Sequence, residues 1–173
     1  MTHLRVLVIG DVFGSVGLAA LLSELPPLRE QHRPNMVIVN AENSAGGSGT
    51  SAKQANQLLA AGVDVLTGGN HSLRQSDFFA VLENDRRVLR PENIAVRGPG
   101  GGFTVVDVPG GYRVAVINVM GSVFMDVAHS PFAVIDGLVD RAQRETKFIV
   151  VDVHAEATSE KVALGRHLDG RVS

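Results

Sequence analysis

Three short apolar runs at residues 4–9, 36–40 and 63–67, rich in β-branched side chains, alternate with stretches whose apolar residues recur at helical spacing. No other feature constrains the fold as much. A β-α-β-α-β-α order argues for a parallel sheet joined by right-handed crossovers. The first helix is expected over residues 18–31, where Leu21, Leu22, Leu25 and Leu28 share a face and Pro26-Pro27 strains or ends it. Ser51 is expected to cap a second helix that runs to Ala61 and stops at Gly62. Ser76 is expected to cap a third, over 77–84. The pattern then changes. Runs at 103–108 and 112–119 flank Pro109-Gly110-Gly111 and read as a hairpin. A helix over 133–146, a strand over 148–153 and a helix over 159–167 follow, the last capped by Thr158 or Ser159. Residues 98–102 read as a flexible surface loop, and Arg171-Val172-Ser173 as the first residues of another strand.

A chain of 173 residues with 45% hydrophobic and 20% charged content suits one well-buried domain spanning 1–173. A formal charge of −2 gives no bulk attraction to nucleic acid or anionic lipid, so neither a stable nucleic-acid partner nor a membrane is expected. With no cysteine, disulfides, thiolate metal sites and a cysteine nucleophile are excluded. The first residues, Met1-Thr2-His3-Leu4-Arg5, lead straight into a strand without the basic and apolar regions of a secretory signal, and no apolar stretch is long enough for a bilayer. The expected location is the cytoplasm.

Four candidate strands end in residues that can ligate or move protons. Gly10-Asp11 ends the first, Ala41-Glu42-Asn43 the second, Gly69-Asn70-His71 the third and Asp152-Val153-His154 the run from 148. Ligands bind outside the carboxyl ends of strands in open α/β sheets, so the four clusters are expected to converge. Each has a plainer reading. Asp11 can cap the turn that follows it, Glu42-Asn43 can form an Asx turn among loop glycines, and His154 can be a structural histidine. The glycines at 10, 14 and 17 do not fit the G-x-G-x-x-G spacing of a dinucleotide site, and Asp11 would repel a pyrophosphate. Asp152 lies two residues before His154 and so shares its face, either orienting it or merely ending the strand. His3, His32, His129 and His167 read as surface residues, and Arg90 as structural rather than as a phosphate contact.

Carboxylate, amide oxygen and imidazole together suit hard or borderline divalent ions such as Mn, Fe or Zn. Glu42 has two oxygens and can bridge a pair of ions, with Asp11 and Asn43 serving one and Asn70 and His154 the other. Two metals roughly 3.5–4 Å apart clamp an in-line displacement at phosphorus and activate a water. His71, beside them, is placed to protonate the leaving oxygen as a general acid.

Gly10-Asp11-Val12, Asn40-Ala41-Glu42-Asn43-Ser44-Ala45-Gly46-Gly47, Gly69-Asn70-His71, Arg90-Pro91-Glu92-Asn93 and the stretch from Asp152 to Lys161 resemble the YmdB-like branch of the calcineurin-type metallophosphoesterases, in the same order through nearly the whole chain. The resemblance implies an α/β/β/α sandwich, a dinuclear metal centre and phosphodiesterase activity on cyclic nucleotides, including 2′,3′-cyclic AMP. Carried over by position, Asp11, Glu42, Asn43, Asn70 and His154 match metal ligands and His71 the catalytic histidine. Leu18 stands where the family has Arg, and Leu73-Arg74 where it has Trp-Asp. A Gly-Thr-His-Thr-His motif that supplies two further ligands in the family has no counterpart here, so the fold is expected to be incomplete at its C-terminus, with an open sheet edge that a homo-oligomer could cover. Two other readings follow: a catalytically impaired module that binds nucleotide or metal, and a Rossmann-like cofactor domain, which the glycine spacing disfavours.

Overall fold

A computed structural model describes residues 3–125 and 128–173; Met1 and Thr2, where the N-terminal reading begins, lie outside them. Strands β1 (Val6–Ile9), β2 (Met36–Asn40) and β3 (Val65–Thr67) form one parallel sheet in that order. Between them run α1 (Gly14–His32) and α2 (Ala52–Ala60), and a turn of 3-10 helix at Ser76–Phe78 leads into α3 (Phe79–Asn84). Strands β4 (Phe103–Val108) and β5 (Tyr112–Met120) make the expected antiparallel hairpin, and β6 (Phe148–His154) joins β5 in parallel after α4 (Phe132–Glu145). Helix α5 (Thr158–Leu168) follows.

Three apolar layers hold these parts together. Leu21, Leu25, Val37, Val39, Ala55, Leu58 and Leu82 fill the space between the first sheet and its helices. Ala115, Ile117, Val119, Ile135, Val139, Ile149 and Leu164 do the same for the second. Met36, Ile38, Val65, Val106, Val114 and Val116 lie between the two sheets. The buried strand β2 alternates between layers, Val37 and Val39 facing the helices and Met36 and Ile38 facing the other sheet. The layers are therefore helices, sheet, sheet, helices, as the family resemblance implies.

Several local expectations need correction. Helix α1 starts at Gly14 and continues through Pro26 and Pro27 to His32, where Arg33 closes it in a left-handed conformation. Burial of Leu21 and Leu25 against the sheet outweighs the backbone bonds the prolines remove. Ser76 does not cap α3: Gln75 precedes the 3-10 turn, without a side-chain cap. Neither Thr158 nor Ser159 caps α5; Ala157 holds the cap position, again with no side-chain bond. Residues 98–102 are pinned rather than free. Arg90 Nε donates to Pro99 O (2.9 Å), Gly102 N donates to a Glu92 carboxylate oxygen (2.6 Å), and a Cβ on Gly102 would come within 2.5 Å of Asn118 O. The same bonds bear out the structural reading of Arg90.

Ser51 does cap α2, and it forms a full capping box with Gln54. At the far end of the chain, Ser173 N donates to Ile149 O (2.9 Å) along the open side of β6. A groove of about 820 Å³ lies along the free edges of β1 and β6, where Leu4, Val6, Val151, Val153 and Leu168 line it. Among the described residues no helix is long and apolar enough to cross a membrane.

Candidate metal centre

All four chemical clusters meet, but across both sheets. Asp11, Glu42-Asn43 and Asn70-His71 follow β1, β2 and β3 of the first sheet, while His154 is the last residue of β6 in the second. The turn after β1 is stapled to the loop after β2: Val12 N donates to Asn40 O (3.0 Å) and Gly14 N to Asn43 O (2.8 Å). Gly47 N also donates to Asn43 O (3.0 Å), with Gly47 at φ +88°, a left-handed conformation that glycine adopts freely.

Glu42 is the centre. It is 2% exposed, and its carboxylate faces three neighbours. Oε1 lies 3.1 Å from His154 Nε2 and 3.7 Å from His71 Nδ1, and it accepts from Asn43 Nδ2 (3.0 Å). Oε2 accepts from the backbone N–H of His71 (3.2 Å). Asn43 Nδ2 also donates to Asp11 Oδ2 (2.6 Å), and Asn43 Oδ1 lies 2.6 Å from His71 Nδ1. On the other side, His154 Nε2 lies 3.1 Å from Asn70 Oδ1. Gly69 makes this approach possible, because a Cβ there would overlap the Glu42 carboxylate and come within 2.5 Å of His154 Cδ2.

Burial pushes the Glu42 carboxyl upward. The hydrogen bond and charge of His154, with further help from His71, outweigh that and hold it below the usual carboxylate value. Burial pulls His154 down, while its bond to Glu42 and the charges of Glu42, Asp11 and Asp152 carry it above the ordinary imidazole value. Each member of this pair thus favours the ionised form of the other.

This donor set fits divalent ions. His154 Nε2 faces two oxygen acceptors, Glu42 Oε1 and Asn70 Oδ1, a place that only a proton or a cation can satisfy. The carboxylates of Asp11 and Glu42 both reach Asn43, and among the described residues no lysine or arginine pairs with either. Among the described residues no three His, Asp or Glu side chains are grouped closely enough to hold an ion by themselves, so amide oxygens are needed to complete a shell.

Asp152 does not hydrogen-bond His154. Its Oδ2 accepts from Asn40 Nδ2 (3.3 Å), whose second contact is Gly68 O (3.2 Å); Asn40 Oδ1 in turn accepts from Glu42 N (3.2 Å). Asn118, fully buried on β5, escaped the sequence reading altogether. Its Oδ1 accepts from Gly68 N (3.0 Å) and its Nδ2 donates to Gly68 O (3.2 Å). A polar residue within the apolar run 114–120 was the available signal. Glu160, read as part of a helix start, is instead a buried anchor whose carboxylate accepts from Ser122 N (2.9 Å), Ser122 Oγ (3.0 Å) and Val123 N (3.2 Å). Gly121, beside it, donates its N–H to His154 O (2.9 Å). His3, His32, His129 and His167 lie at the surface, partly or fully exposed, in line with the sequence reading.

Comparison with known proteins agrees with this architecture. A 2′,3′-cyclic-nucleotide 2′-phosphodiesterase of Bacillus subtilis (strain 168) is 39% identical over 170 residues, covering 98% of this chain and 64% of the relative. The crystal structure of a hypothetical protein from Thermus thermophilus superposes with a TM-score of 0.89 at 41% identity, over 98% of this chain and 65% of that one. A phosphatase structure from Mycoplasma pneumoniae also gives 0.89, at 32% identity, over 100% of this chain and 63% of the other. The chain thus spans just under two thirds of the length of the relatives it matches. The family described as YmdB-like protein matches residues 7–173, and with the sandwich and the strand-end cluster in place, the chain belongs to the YmdB-like family.

Proposed function

We propose that this chain is a metal-dependent phosphodiesterase domain that hydrolyses cyclic nucleotides such as 2′,3′-cyclic AMP. The observation that carries the reading is the buried Glu42 carboxylate, with both oxygens turned into a ring of Asn43, His71 and His154 and no lysine or arginine against it among the described residues. The printed activity of the Bacillus subtilis relative supports the substrate class.

Asp11, Glu42 and Asn43 would hold one divalent ion, and Glu42, Asn70 and His154 the other, with Fe, Mn and Zn the candidates. Such ions, when bound, polarise the phosphoryl oxygens and bring the pKa of a bound water toward ~7. The remaining chemistry belongs to His71. Its Nδ1 is engaged by Asn43 Oδ1 and lies near Glu42 Oε1, an arrangement that favours a proton on Nδ1. Among the described residues Nε2 has no hydrogen-bond partner, and the side chain is 25% exposed. Nε2, when protonated, is the atom from which a proton would pass to the leaving ribose oxygen.

Incubation of the full chain with 2′,3′-cyclic AMP and Mn²⁺, Fe²⁺ or Zn²⁺, followed by phosphorus NMR, tests the reading. The expected product is a nucleoside monophosphate, formed only with metal. His71→Ala is expected to lower kcat on the order of 10²–10⁴-fold while metal still binds. Absence of any metal-stimulated hydrolysis would refute the activity. A second reading, a module that binds nucleotide or metal without turnover, draws on the lack of a three-residue His/Asp/Glu group among the described residues. It predicts nucleotide binding that His71→Ala leaves unchanged and no product in the NMR spectrum.

A further inference from the structure

We propose that Asn118 is a positioning residue that sets the spacing of Asn70 and His154 across the two sheets. The proposal rests on the reading of those two residues as a metal-binding pair. They arrive from different sheets, Asn70 after β3 and His154 at the end of β6, yet their side chains meet at 3.1 Å. Strand pairing within a sheet cannot fix a distance between sheets. The apolar layer between them, built from residues such as Ile38, Val65, Val114 and Val116, excludes water but has no directionality.

Asn118 supplies the direction. It is fully buried, and its backbone is already committed: its N–H donates to Gly102 O (2.8 Å) and its carbonyl accepts from Glu92 N (2.9 Å). The side chain is left to reach the opposite sheet, where it pairs with both the N–H and the C=O of Gly68 (3.0 and 3.2 Å). A primary amide can pair in this way with the N–H and C=O of a single residue, because it offers one donor and one acceptor side by side.

Gly68 stands two residues before Asn70. In the second sheet Asn118 is in register with Asp152, and Met120 with His154, so the clasp also lies two residues behind His154. Asn118 thus meets each segment two residues behind a member of the pair, at Gly68 on one side and at its register partner Asp152 on the other. Asn40 strengthens the same point by donating to Gly68 O and to Asp152 Oδ2.

The test uses the full chain with Asn118→Ala and the milder Asn118→Ser, which keeps a hydroxyl should the alanine variant not fold. In the metal-free protein, two-dimensional proton–nitrogen correlation of the histidine rings reads the state of His154. The wild type is expected to show a single ring state with a proton held on Nε2, and both variants a shifted, exchange-averaged ring. The Mn²⁺ dissociation constant is expected to rise on the order of 10–100-fold. In an Asn70→Ala background the same Asn118 change is expected to add less than about twofold, because the pair it positions is already broken. A lower Tm with unchanged His154 ring signals and unchanged Mn²⁺ affinity would make Asn118 merely structural and overturn the proposal, as would an undiminished effect in the Asn70→Ala background. If the wild type binds no Mn²⁺, the metal reading itself fails, and the His154 ring signals of the metal-free chain decide the positioning role alone.

Discussion

Glu42 shows how much one residue can carry and how far sequence reaches it. Its position at a strand end was legible, because carboxyl ends of strands are where α/β folds gather ligands. So were Asp11, Asn43, Asn70, His71 and His154, which the structure brings to one point. Asn118 was not, since its partner Gly68 lies 50 positions away and periodicity carries no record of which distant backbone a side chain will meet. Gly69 was read as part of a motif, but its reason is spatial: Glu42 and His154 occupy the room a Cβ would need. Gly69→Ala is therefore expected to abolish Mn²⁺ binding, measurable by isothermal titration, because the obstructing atoms are the proposed ligands themselves.

At the scale of elements, local chemistry was read well where it is local. Ser51 and Gln54 satisfy each other three residues apart, and the cap formed as expected. Ser51→Ala should cost about 1 kcal/mol and lower Tm by about 2–4 °C, which thermal denaturation monitored by circular dichroism can resolve. Turnover per folded molecule should not change, because Ser51 touches no site side chain. The errors arose where tertiary contacts decide. Pro26 and Pro27 remain inside α1 because its face is buried, and α5 begins without a side-chain cap because Ala157 at the cap position has no side-chain oxygen, while Glu160 is turned toward the loop at Ser122 and Val123. Glu160→Ala strands buried donors and is expected to destabilise the fold by about 1–3 kcal/mol. The midpoint of urea unfolding reads that loss directly, and an unshifted midpoint would show the loop indifferent to its anchor.

For the whole molecule, alternating strands and helices suggested a parallel sheet, and the first three strands made one. Which sheet β6 would join was not legible from its own residues. It pairs with β5, so His154 reaches the site from the opposite layer. This cross-sheet pair ties the site to global stability through pH. The Glu42 carboxyl is held below its ordinary 4.5, so its contribution is present above that value and is lost as pH falls through the lowered folded value. His154 is held above its ordinary 6.5, so its contribution is full below 6.5 and is lost as pH rises through the raised folded value. The pair thus supports the metal-free chain most fully between about pH 4.5 and 6.5. Glu42→Gln should flatten that maximum in a series of Tm values against pH. Metal and proton compete for His154 Nε2, so Mn²⁺ affinity should rise with pH through the same range that weakens the metal-free pair.

Clusters from two sheets would form one metal centre organised by Glu42. Native mass spectrometry of the full chain titrated with Mn²⁺, beside Glu42→Gln, tests it most directly. Two ions per wild-type chain, with loss of both in the variant, is the predicted result. Equal Mn²⁺ loading of wild type and Glu42→Gln would contradict it.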